Sequence, residues 1–382
     1  MTRVAVNPEM LRWARERARL DADALAARFP KLVEWEGQES QPTFRQLEAY
    51  AKATLTPVGY LFLSAPPVEI VPIPDFRTMS DQGMLHPSPN LLETIYLCQQ
   101  RQAWYQDYVR SIGIPPVPFI GSVTMASPIE ETAAQMRQTL GIDLELRRDC
   151  RTWEEALRHF IAQADASGIM VMCSGVVLNN NYRKLDPEEF RGFALADSLA
   201  PLVFINGADS KSAQMFTLAH ELAHLWLGQT ALSNSDAAEF DGVAVERWCN
   251  RIAAEFLVPL ENIRAEIRRN EPLDEAMARH ARRFKVSTLV VLRRLFDAEA
   301  ISRDTFWSAY RAELARLRAI QRSSGGGNFY LSQAARVSKR FARALVESTL
   351  EGRSLYRDAM RMLGVSKVAT FNELGRSLGY PI

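Results

Sequence analysis

Two histidines and a glutamate within five residues, His220-Glu221-Leu222-Ala223-His224, form the part of the sequence best suited to chemistry. Residues four apart on an α-helix lie on the same face, so both imidazoles point in the same direction. That spacing suits two nitrogen ligands of one tetrahedral zinc ion. Glu221 lies between them, and we expect it to take a proton from a zinc-bound water without binding the metal itself.

A zinc ion held by two histidines needs a third protein ligand and one position that stays open to water. Glu246 is the preferred third ligand, because it lies on the next long predicted helix. Asn250, four residues later on the same face, is expected to hold the other ring nitrogen of a ligand histidine. Three carboxylates in or near the connecting loop are alternatives to Glu246: Asp236, Glu239 and Asp241.

The other three histidines lack a ligand spacing, and we interpret them as structural: His86, His159 and His280. A role for His280 in stabilising a transition-state oxyanion is a weaker alternative. The metal site is therefore expected to draw only on the two histidines of the five-residue motif.

Two predicted helices carry these side chains. The first is capped by Asp209-Ser210, runs over Lys211–Leu227 and ends at Gly228. The apolar neighbours of its polar trio indicate that the trio is buried, and buried polar groups need partners. The second helix runs over Asp236–Leu257 and is ended by Val258-Pro259.

A small sheet is predicted immediately before the first of these helices. Three short stretches bounded by turn residues indicate its strands: 168–173, 190–196 and 202–206. The last, Leu202–Asn206, is expected to line the cleft and to pair with an extended substrate. Helices are predicted upstream at 91–112, 128–140 and 152–165, the last with a capping box formed by Thr152 and Glu155. The expected fold class is therefore α+β and mostly helical.

Residues 1–65 are predicted to form a string of short helices, the first begun by Asn7-Pro8. Their order resembles the Xre-type helix-turn-helix of phage-repressor-like proteins. The segment in the place of the recognition helix, at about 30–37, is short and contains Glu34 and Glu36 against a single lysine. DNA phosphates repel carboxylates, so we interpret the region as a degenerate helix-turn-helix that serves protein contacts, with DNA binding less favoured.

The composition indicates a cytoplasmic protein of two or three domains. The 382 residues are 47% apolar and 24% charged, which permits buried cores. No apolar run approaches the roughly 18 residues of a membrane helix, and the first residues lack the apolar core of a signal peptide. The four cysteines are widely spaced, without a C-x-x-C pair.

Charge is distributed unevenly, although the net charge is only +1. Residues 276–382 contain 20 Lys and Arg against 8 Asp and Glu, a net charge of +12, which leaves −11 for residues 1–275. The basic end suggests either an acidic partner or docking within the molecule. Binding of nucleic acid is the weaker interpretation, because charge asymmetry alone is not specific.

At the metal motif the chain resembles the ImmA/IrrE family of zinc-dependent metallo-endopeptidases. Three stretches carry the resemblance: Phe216-Thr217-Leu218-Ala219-His220-Glu221-Leu222-Ala223-His224-Leu225, then Glu246–Pro259 with Cys249-Asn250 and Ala253-Ala254-Glu255-Phe256-Leu257-Val258, and Phe284-Lys285-Val286-Ser287 with Val291, Arg294 and Leu295. Together they cover about residues 120–295. Cys249 replaces the commoner alanine, a small-for-small exchange, and an Xre-like N-terminal region is a frequent companion in this family.

The resemblance implies a zincin-like minimal peptidase core, in which the small sheet packs on the HExxH helix. It implies a gluzincin-like site with Zn²⁺ on His220, His224 and Glu246 and with Glu221 as the general base. The expected domains are a degenerate helix-turn-helix domain at 1–65, a proline-rich connection and linker helix at 66–120, the peptidase domain at 121–300 and a basic helical region at 301–382.

Relatives act as site-specific rather than degradative proteases. They cleave a helix-turn-helix repressor and so switch on stress or mobile-element genes, and some Xre-fused relatives resemble toxin–antitoxin components encoded beside a PIN-type ribonuclease. We therefore expect a protein substrate or partner of one of these two kinds.

Two other functions stay open at this point. One is a regulatory or antitoxin-like binding protein whose zinc site is not catalytic, but an intact Glu221 argues against it because a structural site does not need that carboxylate. The other is a DNA-binding regulator that uses residues 1–65 and the arginines of 332–382.

Overall fold

The computed structural model describes residues 3–76, 86–233, 243–320 and 336–381. Two compact units share the chain: Met1–Pro72 with Gln82–Tyr96, and Ile73–Asp81 with Leu97–Ile382. The domain limits at residues 65, 120 and 300 remain a prediction. The sequence also indicates a glycine-rich break at 323–327, which lies outside the described residues.

The first unit contains a string of short helices, as the sequence predicts. These are α1 (Pro8–Arg17), α2 (Ala22–Arg28), α3 (Leu32–Glu36), α4 (Phe44–Ala53) and a 3-10 helix at Val58–Phe62. Asn7, Asp21 and Thr43 cap three of the helix starts with a side-chain oxygen. In the core of this unit the Tyr50 hydroxyl donates a hydrogen bond of 2.8 Å to the Leu11 carbonyl.

Most of the rest of the described chain is helical too. The further helices in chain order are α5 (Pro89–Ser111), α6 (Ile129–Leu140), α7 (Leu144–Asp149), α8 (Trp153–Ala166), α9 (Lys211–Leu227), α10 (Ala244–Leu257), α11 (Leu260–Ala265), α12 (Leu273–Phe284), α13 (Thr288–Asp297), α14 (Arg303–Ile320), α15 (Lys339–Leu350), α16 (Tyr356–Leu363) and α17 (Val368–Ser377). The predictions at 91–112, 128–140 and 152–165 are confirmed as α5, α6 and α8. Among the helices of the described part, none is long and apolar enough to cross a membrane.

The capping box predicted at the start of α8 is only half correct. The Thr152 hydroxyl accepts the N–H of Glu155 at 3.1 Å, as expected. The Glu155 carboxylate, however, accepts the N–H of Arg151 rather than that of Thr152. The reciprocal bond has therefore moved one residue upstream, although the helix still begins at Trp153.

Within the described residues, four strands form a mixed sheet in the order β1-β3-β2-β4. They are β1 (Met170–Ser174), β2 (Gly192–Leu195), β3 (Leu202–Asn206) and β4 (Ala231–Ser233). Strands β1 and β3 are parallel, and the other two pairs are antiparallel. The three predicted strands are confirmed, whereas β4 has no counterpart among the predictions because three residues carry no detectable alternation.

The expectation that Leu202–Asn206 pairs with a substrate is wrong. This stretch is β3, and its backbone is paired with β1 on one side and with β2 on the other. A central strand has no free N–H and C=O groups to offer an incoming polypeptide. Strand order, which the sequence does not reveal, decides this.

Helix α9, which carries the HExxH motif, is surrounded by other elements. Every residue from Gln214 to Trp226 is buried, and the helix contacts β2, β3, α8 and α10. The Ser210 hydroxyl caps its start by accepting the N–H of Ala213, and Gly228 ends it in a left-handed conformation. A helix buried on all sides is expected in the interior of a large unit.

The C-terminal end of α10 is held by three arginines. Arg137 donates to the carbonyls of Glu255 and Phe256, and Arg147 donates to the carbonyl of Leu257. Arg294 donates to the carbonyl of Val258 at 2.8 Å and also pairs with the Glu255 carboxylate. These donors satisfy carbonyl groups that a helix end leaves without partners. They fix α10, the helix on which Glu246 lies.

Replacing Arg294 tests this arrangement. Arg294→Met leaves the buried Glu255 carboxylate without its counter-charge, so we expect the free energy of unfolding to fall by about 3 kcal/mol in urea denaturation. Arg316→Met is the matched control, because the Arg316 side chain is 55% exposed and pairs with Glu313 within one helix. There we expect a loss below about 1 kcal/mol. Equal losses in both variants would contradict a special role for the buried pair.

Candidate metal centre

The structure brings His220, His224 and Glu246 into one buried cluster that could hold a metal ion. The Nε2 atoms of the two imidazoles lie 3.1 Å apart. One carboxylate oxygen of Glu246 lies 3.2 Å from Nε2 of His220, and the other lies 3.0 Å from Nε2 of His224. The contact between α9 and α10 places all three side chains.

Asn250 orients the first imidazole. Its Oδ1 lies 2.9 Å from Nδ1 of His220, and an amide oxygen can only accept a hydrogen bond. With the amide in this orientation, Nδ1 carries the ring proton, and Nε2 presents its lone pair to the cluster. Asn250 lies one turn after Glu246 on α10, and its role beside a metal ligand stays a prediction.

Ser233 is a residue of this site that the sequence does not reveal. Its hydroxyl lies 3.4 Å from Nε2 of His224, and the residue is completely buried. Ser233 ends β4, a strand too short to be predicted. The only sequence signal is its position shortly after the end of α9.

Glu221 is buried beside the cluster without a hydrogen bond of good geometry. It is 0% exposed, and neither carboxylate oxygen has a hydrogen-bond partner in the described part of the chain. Burial, and then the negative charge of Glu246, raises the pKa of Glu221 well above its usual value; the Ser233 hydroxyl offsets this only in part. Burying a carboxyl group without firm hydrogen bonds lowers the stability of the fold. A buried group with such a strongly raised pKa is therefore a candidate functional residue.

The charges within the cluster are strongly coupled. Burial alone would raise the pKa of Glu246, but the imidazoles of His220 and His224 outweigh it and hold that pKa well below its usual range. Burial lowers the pKa of His224, although hydrogen bonding to Glu246 opposes this. The cluster therefore presents an ionised carboxylate to two imidazoles, which is the form that binds a cation.

Gly192 allows β2 to pass close to Glu221. A Cβ atom at this position would lie 2.6 Å from Cγ2 of Thr217, 2.9 Å from the carbonyl oxygen of Phe204 and 3.1 Å from Oε1 of Glu221. The first two distances are shorter than real side chains tolerate. A glycine within a strand often marks such a close approach. Its place inside a predicted strand is the signal that could have drawn attention to Gly192.

The remaining candidates lie elsewhere or cannot be placed. His86 and His159 are exposed, and the cluster found among the described residues includes neither of them nor His280. Three alternative ligands, Asp236, Glu239 and Asp241, lie outside the described residues, as does the predicted helical stretch before residue 243.

Comparison with known proteins assigns the region around the cluster. Residues 164–296 match the Peptidase_M78 family model, described as the IrrE N-terminal-like domain. A stretch of 104 residues is 36% identical to the radiation response metalloprotease IrrE of Deinococcus deserti. Both matches support the ImmA/IrrE family. They also support a metallopeptidase, and an enzyme of that kind implies a metal ion. The buried cluster of His220, His224 and Glu246 offers ligands for such an ion.

The similarity to IrrE is limited to part of each protein. The matched stretch is 26% of this chain and 37% of the relative, so the chain spans little more than a third of that relative's length. Residues 337–377, which include α15, α16 and α17, match a family model described as a domain of unknown function. The similarity therefore concerns residues 164–296, called the IrrE-like domain below.

His280 lies in a separate environment of the IrrE-like domain. Its ring stacks on Phe284, and Arg279 lies 3.1 Å from its Nε2. Burial, and then the charge of Arg279, lowers the pKa of His280 to about 4. Glu266 lies 3.8 Å from Nδ1, but the lowered pKa means that His280 is neutral and the two do not form an ion pair.

Substitution of Gly192 tests the close approach in the IrrE-like domain. Gly192→Ala forces a methyl group against Thr217 and the backbone of Phe204, so we expect the free energy of unfolding to fall by about 1–3 kcal/mol. Gly59→Ala is the matched control, because a Cβ there meets nothing within 4 Å. Thermal unfolding measures both. A Gly192→Ala protein as stable as the control would show that β2 can move away from Glu221.

The lowered pKa of His280 predicts a pH dependence of stability. Because the folded state holds the imidazole neutral, the contribution of His280 is present above pH 6.5 and is lost as the pH falls toward 4. This group alone should cost up to about 3 kcal/mol over that range. Denaturant titrations of His280→Gln should fall less steeply with acid than those of the parent, whereas the exposed His159→Gln should follow the parent. Parallel curves for all three proteins would contradict the prediction.

Proposed function

We propose that this chain is a zinc metallo-endopeptidase that cuts a regulatory protein at a specific site. One observation carries the proposal: two imidazoles and a carboxylate from two helices converge in the interior, beside a second carboxylate that has no hydrogen-bond partner in the described residues. A cluster that served only the fold would gain nothing from Glu221 in this position.

Zinc suits the three side chains. Ligands at 2.0–2.1 Å around a tetrahedral zinc ion lie about 3.3 Å from one another. The two Nε2 atoms lie 3.1 Å apart. Each of them lies 3.0 or 3.2 Å from a different oxygen of Glu246, so the pairwise distances are close to that spacing. Imidazole nitrogens favour zinc over the oxygen-seeking magnesium and calcium ions. His220, His224 and Glu246 would hold the ion, and Asn250 would keep His220 in the tautomer that binds it.

The chain supplies the proton transfer. Zinc, when bound, acts as a Lewis acid that polarises a peptide carbonyl and lowers the pKa of water. The positive charge of that ion would favour the ionised form of Glu221 despite its raised pKa. An oxygen of Glu221 would then accept a proton of the attacking water and pass it to the nitrogen of the leaving amine. Glu221 has no hydrogen bond of good geometry in the described part of the chain, which supports this role because a proton shuttle needs an oxygen that is not firmly engaged.

The substrate is a regulatory protein, either a helix-turn-helix repressor or the partner toxin of a toxin–antitoxin pair. The resemblance to ImmA/IrrE proteases and the similarity to a radiation response metalloprotease support this and a role in stress response. We further propose that the degenerate Xre-like helices of residues 1–65 bind protein, since α3 has only five residues and carries two glutamates. The protein would act in the cytoplasm.

Glu221→Gln tests the proposed chemistry. The substitution keeps the side-chain volume but removes the proton acceptor, so we expect the zinc content to remain near one ion per chain and cleavage to fall about 100-fold or more. Inductively coupled plasma mass spectrometry measures the metal. Proteomic comparison of cells expressing either protein identifies the substrate as fragments that appear only with the parent.

Two control variants separate metal binding from catalysis. Glu246→Gln should lose both zinc and cleavage, because it removes the charged ligand. Glu261→Gln changes an exposed glutamate on α11 and should keep both. Undiminished cleavage by Glu221→Gln would end the proposal. A stoichiometric partner that the parent binds but never cuts would instead favour an antitoxin-like binding protein.

A further inference from the structure

A short segment of the chain lies along the outer edge of the sheet. Leu232 of β4 faces Phe193 of β2 on one side. On the other side its N–H donates to the carbonyl of Pro74 at 2.9 Å, and its carbonyl accepts the N–H of Phe76 at 3.0 Å. The pairing of Asp75 with Leu232 is parallel. Residues 73–76, called the edge segment below, thus extend the sheet beyond β4.

The edge segment reaches the metal cluster. The ring of Phe76 stacks on the imidazole of His224, with centroids 6.3 Å apart and an angle of 23° between the planes. Ser233, which follows Leu232 in β4, touches the same imidazole with its hydroxyl. A backbone paired with Leu232 therefore passes beside the site of the proposed chemistry.

The outer side of β4 is the position where an extended polypeptide can pair next to the cluster. An edge strand offers N–H and C=O groups that a further strand can use. Strands β2 and β3 are paired on both sides, and β1 forms the opposite edge of the described sheet. Of the strands described, β4 alone combines an outer edge with direct contact to His224 through Ser233.

We propose that the edge segment occupies the substrate position, as an internal competitor of an extended polypeptide. A substrate would pair with Leu232 in place of residues 74–76 and would place a large apolar side chain against His224 in place of Phe76. The inference rests on the proposed function, because it assigns this edge to the substrate of that site.

The way the edge segment is attached to β4 would let a competing polypeptide displace it. It makes two backbone hydrogen bonds with β4, and its proline at position 74 has no N–H with which to form more. Asp75 is exposed, whereas Ile73 is buried and anchors the start of the segment. As part of the same chain it competes at an effective concentration on the order of millimolar. A weakly binding polypeptide would therefore not displace the segment from β4, whereas a tightly binding partner would. This difference suits a peptidase that cuts at a specific site.

A binding experiment tests the proposal without cleavage. All proteins carry Glu221→Gln, and the probe is a fluorescein-labelled peptide that copies residues 71–76, followed by fluorescence polarisation. Phe76→Ala removes the ring from His224 and should raise the affinity for the peptide about ten-fold, because the competing segment is then bound for a smaller fraction of the time. Hydrogen exchange at the Leu232 amide should become faster in this variant and slow again when the peptide is added.

Two further variants control for altered folding. Phe76→Leu keeps a large apolar side chain and should bind the peptide within about three-fold of the parent. Ile70→Ala changes a side chain that is 75% exposed in the same connection and should match the parent. An affinity that Phe76→Ala leaves unchanged, no peptide binding by any variant, or a Leu232 amide that ignores the peptide would each overturn the inference.

The outcome also separates this inference from the proposed function. Suppose that the protein binds the peptide as expected but, with Glu221 restored, cuts nothing in cells. That result would refute the peptidase function and leave the proposed occupation of the edge intact. Conversely, an active peptidase whose affinity for the peptide does not depend on Phe76 would support the proposed function and refute the occupation of the edge by residues 73–76.

Discussion

The interior of the second unit contains two buried imidazoles and two buried carboxyl groups, and this constraint organises the structure around α9. Burying such groups costs several kcal/mol each unless partners compensate. Nδ1 of His220 is hydrogen-bonded to Asn250, and the carboxylate of Glu246 lies beside Nε2 of both imidazoles. The Nε2 atoms and the carboxylate oxygens would all be stabilised by a cation between them. The surrounding apolar core excludes competing water, so the same burial that is costly for the fold makes the site chemically useful.

Rigid packing keeps these groups in place. Helix α10 brings Glu246 to α9, and three arginines hold its far end by satisfying carbonyl groups that would otherwise lack partners. On the other side of α9, the glycine in β2 lets the sheet approach within contact distance of Glu221. A buried carboxyl group with so few hydrogen bonds keeps its position because the surrounding elements hold it there. The support therefore comes from residues that take no part in the chemistry.

The edge segment adds a different kind of contact to this rigid centre. It pairs with β4 through two backbone hydrogen bonds and stacks Phe76 on His224, whereas α9 is buried along most of its length. We therefore expect the segment to open more easily than α9. A fixed metal cluster beside a displaceable strand separates two tasks: the helices position the reacting groups, and the segment controls what reaches them. If the edge segment occupies the substrate position as we propose, selectivity would depend on how well a polypeptide replaces Phe76 against His224.

Sequence alone determined the local features: the ends of α9, set by Ser210 and Gly228, the shared face of the two histidines, and the three longer strands, since each depends on neighbours within a few residues. It also selected Glu246 and Asn250 by their spacing on one helix, and their roles stay a prediction. Only the tertiary structure decided that β3 is central, that β4 exists, and that residues 74–76 pair with Leu232. The strand pairs join residues up to 41 positions apart, and the pairing of Pro74 with Leu232 spans 158 positions. No local pattern of side chains encodes such pairings.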